Sequence, residues 1–529
     1  MYTGIIIVSR NKGEGQDGED LILHEWQAEC LNTWERRGYR GIVNAVTGSG
    51  KTTFALTAIS HIEEKINKPL RVKIVVPQTF LVAQWKDEIR SHLIAAPSEI
   101  GVYSGKRKDF GRRFMIYVVN SARYSLAGHI LADIDSGFAV LLIADECHHY
   151  GSAENNRIFE FYKIIGDDAP YYTLGLSATP EIVNYKAILG PIGPEIYYYD
   201  LVRALKDRII SRFILFSIRL GFTHGEGEEY LRLSDDLSKS LAKLKSANPE
   251  LRGLDSGVFF AHLQKMAKSD DEMSGLARTA LILMIKRRAL CHLAAERPSC
   301  VISIVKMLPE YCRIILFCER IETVELIYSS LSGAFPDQTG VYHSKMTDSE
   351  KQDMLNRFSR GTFRMLICCK ALDEGLNIPS IDAGIIVSSS SSARQRVQRI
   401  GRMLRHSKEI KRIYYLYIGE SNEDGELVLG LRTLTNAVPT ITLRYRGGLF
   451  VHTEYKRLRD AVLGFVSARR DEPVLVEAMR GNLDKALLRG DFLVHEQTCR
   501  DNIQASRSVA ERNYWVSVLY LILARQGRL

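Results

Sequence analysis

The stretch AVTGSGKTT, residues 45–53, contains residue types that could hold a phosphate group. Gly48 and Gly50 allow backbone angles closed to other residues, so successive N–H groups can point at one anion. The apolar run before the loop predicts a buried strand, and the spacing of apolar residues after it predicts a helix. The phosphates would therefore lie at a helix N-terminus, where the helix dipole favours negative charge.

The residues that close this loop favour a nucleoside triphosphate as the ligand. Lys51 would reach the β- and γ-phosphates, and the hydroxyl of Thr52 would bind Mg²⁺. Ala45-Val46-Thr47 supplies no glycine for the first position of the full GxxxxGK[ST] pattern, so the match is incomplete by pattern. The alternative is a Gly/Ser turn that binds nothing. The strand before the loop and the helix after it favour the phosphate site.

The stretch FAVLLIADECHHY contains a second apolar run, and a pair of carboxylates, Asp145 and Glu146, directly follows that run. Asp145 would hold Mg²⁺ through water, and Glu146 would polarise the water that attacks the phosphate. The alternative is a helix N-terminus, which also favours acidic residues. The phosphate loop in the same lobe favours the catalytic interpretation, and a hydrolytic base disfavours a kinase, which must keep water out.

Two further segments could complete a hydrolytic site. Ser177 and Thr179, at the end of the next apolar run, can hydrogen-bond toward the acidic pair; the alternative is a capped turn.

In QRVQRIGRMLR, residues 395–405, the spacing places Gln398, Arg402 and Arg405 close together on a helix, and Gly401 permits close approach. Arginines there could stabilise charge on a transferring phosphoryl group. A solvated basic helix is the alternative.

The composition is that of a globular protein: 46% of the 529 residues are hydrophobic and 25% are charged. The net charge of +9 favours polyanionic partners mildly.

The nine cysteines include no CxxC pair, so we expect neither a zinc site nor a disulfide framework and infer a reducing cytoplasm. The N-terminal apolar run is too short for a signal peptide. YWVSVLYLILA is too short to span a membrane and suits a packed helix.

Continuous apolar runs alternate with helical patterns in two blocks, which predicts an α/β fold with two parallel-sheet lobes. A helical insertion rich in Lys, Glu, Asp, Leu and Ala lies between them, and the tail is also mainly helical by pattern. The expected organisation is an N-terminal segment (1–20), lobe 1 (21–205), a linker and helical insertion (206–300), lobe 2 (301–445) and a C-terminal extension (446–529).

Seven segments, taken in chain order, resemble the motifs of superfamily 2 helicases. They are TGSGKT, VVPQTFLVAQW, DECHH, SATP, ILFCE, LDEGLNIP and QRIGRMLR. LHEWQAE also resembles the adenine-contacting segment of that family. LGLSATPE and LGPIGPEIYYYDLVRALKDRIIS most resemble the XPB-like and restriction-translocase branch. The resemblance implies two tandem RecA-like lobes and an ATP-driven motor on DNA.

The resemblance also implies roles for particular residues. Lys51, Asp145, Glu146, Gln398, Arg402 and Arg405 would be catalytic, the two arginines as fingers from the second lobe, with Thr52 and Asp145 holding Mg²⁺. ATP would contact Gln27 at the adenine, with Trp26 beside it, and Thr47, Gly48, Ser49, Gly50, Lys51, Thr52, Thr53, Glu374 and Gly375. His148, Ser177, Ala178 and Thr179 would couple the site to movement. Asn377 replaces the usual aspartate, and Asp-Glu-Cys-His replaces the commoner Asp-Glu-Ala-His.

Nucleic acid would cross both lobes, held mainly through its phosphates. The expected contacts are Pro77, Gln78, Thr79, Gln84, Asn120, Ser121, His343, Ser344, Lys370 and Asn377. Each could instead be an ordinary turn residue, and His343 could be packed in the core. Lys286–Arg288 in the insertion could grip or split a duplex, although a solvated helix turn is favoured. Glu454-Tyr455-Lys456 fits a nuclease ExK pattern only superficially.

We therefore expect an ATP-dependent DNA helicase or translocase that uses ATP and Mg²⁺, acting in DNA repair or antiviral defence. Alternatives are an RNA helicase and an ATP-gated nucleic-acid sensor or clamp that serves an effector. DNA is favoured over RNA as the partner, a nuclease or other effector subunit is a further expected partner, and no membrane is expected.

Overall fold

The chain divides into two compact units in a computed structural model. The first unit runs to Ser211 and also includes the described residues of 394–408, and the second contains the other described residues from Arg212 onward. The structure describes residues 7–8, 21–166, 168–178, 185–254, 256–269, 273–369, 381–388, 400–401, 403–404, 409–424, 438–451, 453–468 and 473–529.

The first unit is built on a parallel sheet that has seven strands within the described residues, in the order β5-β6-β4-β7-β8-β3-β9. Most positions of the central strands are apolar because helices cover both faces of such a sheet, and β7 is buried at every position. The strands of this unit are β1 (Ile7–Val8), β2 (Leu21–Ile22), β3 (Ile42–Ala45), β4 (Leu70–Val76), β5 (Ile100–Tyr103), β6 (Phe114–Val118), β7 (Ala139–Ala144), β8 (Tyr171–Ser177) and β9 (Glu195–Tyr199).

Helices connect these strands, and short 3₁₀ turns lie at Pro97–Glu99, Cys147–Gly151 and Arg157–Lys163. The helices of this unit are α1 (Glu25–Arg36), α2 (Lys51–Lys65), α3 (Phe80–Leu93), α4 (Val119–Ala122), α5 (Leu126–Asp135), α6 (Ala153–Asn156), α7 (Lys186–Ile192) and α8 (Leu201–Lys206). Because all the strands of the sheet are parallel, the loops that leave β3, β4, β6, β7 and β8 emerge at one edge. That edge is where an open α/β sheet binds ligands.

The second unit has a sheet of eight strands, counted over the described part of the chain, in the order β12-β13-β11-β14-β15-β10-β16-β17. Neighbouring strands are parallel except β16 and β17, which form an antiparallel hairpin. The strands are β10 (Phe213–Leu220), β11 (Ile314–Cys318), β12 (Thr339–Tyr342), β13 (Met365–Cys369), β14 (Ala383–Ile386), β15 (Lys411–Ile418), β16 (Thr440–Arg446) and β17 (Leu449–Val451).

The helices of the second unit form an insertion, the cover of the sheet and a tail. Short 3₁₀ turns lie at Pro249–Leu251 and Asp491–Leu493. The helices are α9 (His224–Ala247), α10 (Ser256–Met266), α11 (Ser274–Leu293), α12 (Glu296–Met307), α13 (Ile321–Ala334), α14 (Asp348–Ser359), α15 (Thr453–Ser467), α16 (Pro473–Arg489), α17 (Glu496–Ala505) and α18 (Val509–Arg525). Among the described helices, none has the length and apolar content needed to cross a membrane.

The expected fold class is confirmed: two parallel-sheet α/β lobes with additional helices. One strand lies outside the expected blocks. Phe213–Leu220, in the range expected to be linker and insertion, forms β10 and pairs with β15 and β16 in the middle of the second sheet. Its partners lie about 200 residues downstream, so local pattern alone does not reveal them. The helical insertion α9–α11 follows this strand and has a small core of its own.

The tail helices are part of the core of the second unit. Leu483, Leu487 and Leu521 are buried in the same apolar cluster as strands β10 and β15. A polar anchor centred on Asp491 joins the tail to the sheet. Its carboxylate pairs with the Arg412 guanidinium at 2.7 Å and accepts a hydrogen bond from the Tyr514 hydroxyl at 2.5 Å.

We predict that Asp491→Ala destabilises the second unit by about 3 kcal/mol, because the Arg412 guanidinium loses its carboxylate partner in a largely buried site. Tyr514→Phe, which removes only one hydroxyl, should cost about 1 kcal/mol. Denaturant unfolding of the full chain, followed by circular dichroism, measures both. A loss for Asp491→Ala no larger than that for Tyr514→Phe would contradict the anchor.

Candidate active site

The phosphate loop lies between β3 and α2, as the sequence predicts. Gly48 and Gly50 both have positive φ, +83° and +91°, and α2 begins at Lys51 directly after Gly50. The Ser49 hydroxyl donates to the carbonyl of Val46 at 2.7 Å, which fixes the turn. The loop therefore has the backbone geometry that turns successive N–H groups toward one anion at a helix N-terminus.

The side chains at the start of α2 lie half-buried at the strand edge. Lys51 donates from Nζ to the carbonyl of Ala45 at 2.8 Å, and its charge partly offsets the desolvation that raises the pKa of Asp145. The ammonium group is therefore within electrostatic reach of the acidic pair. Thr52 and Thr53 occupy the first helical turn, where a hydroxyl can join a metal ion bound to phosphate oxygens.

Gln27 connects helix α1 to the phosphate loop. Its side-chain oxygen accepts from the backbone N–H of His24 at 2.9 Å, and its Nε2 donates to the carbonyl of Gly50 at 3.1 Å. Trp26 is buried and stacks on Tyr199, with ring centroids 4.9 Å apart. Hydrogen bonds within the protein thus orient the Gln27 amide at both its oxygen and its nitrogen.

The acidic pair directly follows β7. The Asp145 carboxylate accepts from the indole N–H of Trp85 at 2.9 Å and from the backbone N–H of Glu146 at 3.0 Å. Desolvation raises the pKa of Asp145, and the neighbouring Glu146 charge raises it further, while Trp85 and Lys51 act in the opposite direction. A bound cation would favour the ionised carboxylate.

Glu146 occupies an unusual backbone conformation. It has φ +47° and ψ +50°, the left-handed region that costs a non-glycine residue about 1 kcal/mol or more. The residue is buried, and its carboxylate lies 3.5 Å from Nδ1 of His148. Strained backbone of this kind concentrates at functional sites, where the surrounding structure holds it in place.

A chain of polar contacts runs from the acidic pair to the end of β8. His148 Nδ1 lies 3.2 Å from the Ser177 hydroxyl, and both side chains are buried. Ala178 follows at the same edge and is also buried, whereas Thr179 lies outside the described residues. The predicted coupling residues His148 and Ser177 are therefore in direct contact with each other, and His148 also contacts the predicted base.

Two residues that hold the acidic pair were not predicted as site residues. Trp85 lies on α3, 60 residues before Asp145, within the quoted segment VVPQTFLVAQW. The Tyr150 hydroxyl contacts the carbonyls of Val75 and Asp145, at 3.0 and 2.8 Å. A tryptophan in that segment was a usable signal, whereas nothing in the sequence distinguishes Tyr150 from a core tyrosine.

The oxygen-donor set suits Mg²⁺. A threonine hydroxyl at the first turn of α2 and a carboxylate after β7 are hard ligands, and Mg²⁺ usually takes only one or two protein groups together with waters and phosphates. The described residues include no cluster of three or more His, Cys, Asp or Glu side chains that could hold a metal by themselves. The site therefore fits a metal that arrives with a nucleotide.

The predicted nucleic-acid residues of the first unit lie at the same sheet edge. Pro77, Gln78 and Thr79 follow β4, and Asn120 and Ser121 follow its neighbour β6, with Gln78, Thr79 and Asn120 exposed. In the sheet order, β6 and β4 lie on one side of β7, and β3 with the phosphate loop lies on the other side. Gln84 is half-buried on α3.

In the second unit, the predicted pair His343 and Ser344 follows β12, the edge strand of the sheet; His343 is half-buried and Ser344 is exposed. The remaining predicted residues, namely Lys370, Glu374, Gly375, Asn377, Gln398, Arg402 and Arg405, lie outside the described residues. The structure thus brings together the phosphate loop, the acidic pair and the coupling chain within one unit.

Comparisons with known proteins agree with the geometry of the site. A family profile described as "Type III restriction enzyme, res subunit" matches residues 20–182, and one described as "Helicase conserved C-terminal domain" matches residues 297–407. The chain is 30% identical over 392 residues to the DNA 3′-5′ translocase XPB2 of Sulfurisphaera tokodaii, covering 73% of this chain and 79% of that protein.

Two more distant similarities extend this result. A candidate DNA 3′-5′ helicase, Rad25, of Haloarcula marismortui is 23% identical over 411 residues, which cover 76% of this chain and 54% of that protein. The chain thus spans about half the length of this second relative. A solved structure of S. cerevisiae Dbp5 bound to Gle1 and IP6 has a TM-score of 0.50 at 10% identity, covering 80% of this chain and 89% of that chain, and shows the fold alone.

We predict that Trp85→Phe lowers ATP hydrolysis on the order of 10-fold, because Asp145 loses the donor that orients it while the aromatic packing is kept. The matched control is Trp34→Phe, which removes another buried indole donor, in this case to the carbonyl of Thr173 at 2.8 Å. Steady-state hydrolysis, titrated with Mg²⁺, measures both. Equal losses in the two variants would mean that Trp85 acts through general stability only.

Proposed function

This chain belongs to the XPB-like branch of the superfamily 2 helicases and is an ATP-dependent helicase or translocase, and we propose that the nucleic acid it moves on is DNA. The relative with 30% identity is named a DNA 3′-5′ translocase, which supports both the substrate and a 3′→5′ direction. The net charge of +9 is consistent with a polyanionic partner.

The observation that carries the catalytic proposal is the contact chain at the edge of the first sheet. In this proposal the phosphate loop and Lys51 hold the β- and γ-phosphates. Thr52 and Asp145 would hold Mg²⁺, which would neutralise charge on the phosphates. Glu146 accepts the proton of the attacking water. Its contact with His148, and that of His148 with Ser177, would carry the change in charge to the end of β8.

Arg402 and Arg405, with Gln398, would act from the segment 395–405. An arginine finger stabilises charge that develops on the transferring phosphoryl group, so it contributes to hydrolysis more than to ATP binding. Nucleic acid would be held at the loops after β4 and β6, where Gln78, Thr79 and Asn120 are exposed. Binding there favours the arrangement in which the arginines reach the γ-phosphate, and hydrolysis thereby becomes movement.

The pathway that we propose is DNA repair or antiviral defence. The similarity to a Rad25 helicase supports repair, and the match to a restriction-enzyme res subunit supports defence. In the second case the motor would serve a nuclease or another effector subunit.

The proposed substrate is tested by ATP hydrolysis of the full chain with duplex DNA, single-stranded DNA and RNA at equal nucleotide concentration. We expect DNA to stimulate hydrolysis more strongly than RNA. Lys51→Ala, which loses the phosphate-binding ammonium group, should show no stimulated hydrolysis while remaining folded. Stimulation by RNA alone would replace the DNA proposal with an RNA helicase, and full turnover by Lys51→Ala would refute the phosphate site.

Arg402→Ala tests the finger. ATP affinity should stay near that of the unaltered protein, whereas hydrolysis should fall on the order of 10³-fold and its stimulation by DNA should disappear. Arg402→Lys should recover little, because an ammonium group lacks the planar fork of the guanidinium. Arg232→Ala is the matched control, since this exposed arginine pairs with Glu229 on its own helix surface. Normal DNA-stimulated hydrolysis by Arg402→Ala would leave the role to Arg405.

A further inference from the structure

The segment 395–405, which carries Arg402 and Arg405, is called the arginine-bearing segment below. A short turn of this segment packs against the phosphate loop within the first unit. Of this turn, residues 400–401 and 403–404 are described, and all four are buried. The backbone N–H of Ser211 donates to the carbonyl of Leu404 at 2.9 Å, which ties the turn to the end of the first unit. Residues 402 and 405, the two proposed fingers, are the immediate sequence neighbours of this turn.

Gly401 of this turn lies against Thr47 of the phosphate loop. A Cβ atom placed on Gly401 would collide with the Thr47 hydroxyl oxygen and would lie 3.2 Å from both its Cβ and its carbonyl oxygen. Gly401 does not have a positive φ, so the backbone itself would accept alanine. The need for glycine at this position therefore comes from Thr47 and not from backbone conformation.

Thr47 occupies one of the variable positions of the GxxxxGK[ST] pattern, whose first glycine position is taken by Ala45. Its side chain is 8% exposed, and the next residue, Gly48, also faces the turn: a Cβ on Gly48 would lie 3.5 Å from the carbonyl oxygen of Gly401. The side chain of Thr47 on the loop thus faces Gly401, the smallest possible residue, on the turn. The two positions are complementary in shape.

We infer that Thr47 and Gly401 form a fitted contact that sets the position of the arginine-bearing segment on the phosphate loop, which makes Thr47 a positioning residue for hydrolysis. This inference rests on the proposed roles of Arg402 and Arg405. Lys51 and Thr52 supply the phosphate and metal contacts on the loop itself, so ATP binding does not depend on the fitted contact. The contact therefore affects kcat and leaves nucleotide affinity nearly unchanged.

Gly401→Ala tests the contact, because its methyl group displaces the turn. We expect kcat for ATP to fall on the order of 10²-fold, the cost of a displacement of about 1 Å at a catalytic site, with nucleotide affinity retained. Gly128→Ala is the matched control, because it adds a methyl group to a helix of the same unit with nothing within 4 Å. A wild-type kcat for Gly401→Ala, or an equal loss in Gly128→Ala, would overturn the inference.

The decisive measurement is the effect of Gly401→Ala in a Thr47→Gly background. Thr47→Gly removes the hydroxyl and Cβ but leaves the carbonyl oxygen 3.2 Å away, so we expect the kcat loss caused by Gly401→Ala to become about tenfold smaller without vanishing. An undiminished loss in that background, with thermal unfolding midpoints equal to those of the single variants, would overturn the fitted contact.

Hydrolysis is measured both without nucleic acid and with the strand that stimulates it most. The kcat loss caused by Gly401→Ala can then be compared between the Thr47 and Thr47→Gly backgrounds whichever nucleic acid the enzyme prefers. Arg402→Ala could hydrolyse ATP normally while the kcat loss caused by Gly401→Ala is still reduced in the Thr47→Gly background. That pair of results would refute Arg402 as the finger and would leave the fitted contact supported.

Discussion

The first unit is arranged around one constraint. Two carboxylates lie in a partly desolvated site at the end of a central strand. Ionised groups removed from water require partners, or their pKa values shift until they become neutral. The indole N–H of Trp85 and the backbone N–H of Glu146 supply hydrogen bonds to Asp145, and Lys51 supplies a positive charge. Each partner comes from a different element, so the acidic pair requires the whole edge of the sheet to be in place.

In the proposed function, the same arrangement would let this edge report the state of a nucleotide. The left-handed backbone at Glu146 sets the direction of its side chain, and His148 joins it to Ser177 at the end of the next strand. Interior packing is close to that of a crystal, so a change in charge at one end of such a chain moves neighbouring atoms and is not absorbed locally. The loops after β4 and β6 leave the same edge, which places the proposed strand contacts on the framework that holds the acidic pair.

The second unit shows a different dependence, in which distant parts of the chain form one core. Strand β10 precedes the helical insertion yet lies between β15 and β16, and the tail helices add Leu487 and Leu521 to the same apolar cluster. Asp491 joins this tail to Arg412 on the sheet. The tail thus belongs to the core of this unit, and changes at its buried positions affect the stability of the unit.

The sequence alone determined the features that depend on local chemistry. Glycine spacing in the phosphate loop, apolar runs of strand length and acidic residues directly after a strand are consequences of backbone and side-chain properties within a few residues, and the structure confirms the fold class they predict. Tertiary structure decided which distant residues meet. Trp85 reaches Asp145, strand Phe213–Leu220 enters the second sheet, and Gly401 approaches Thr47 only after chain segments tens to hundreds of residues apart have packed. These contacts follow from hydrogen-bond satisfaction and close packing in three dimensions, and neither leaves a periodic pattern in the sequence.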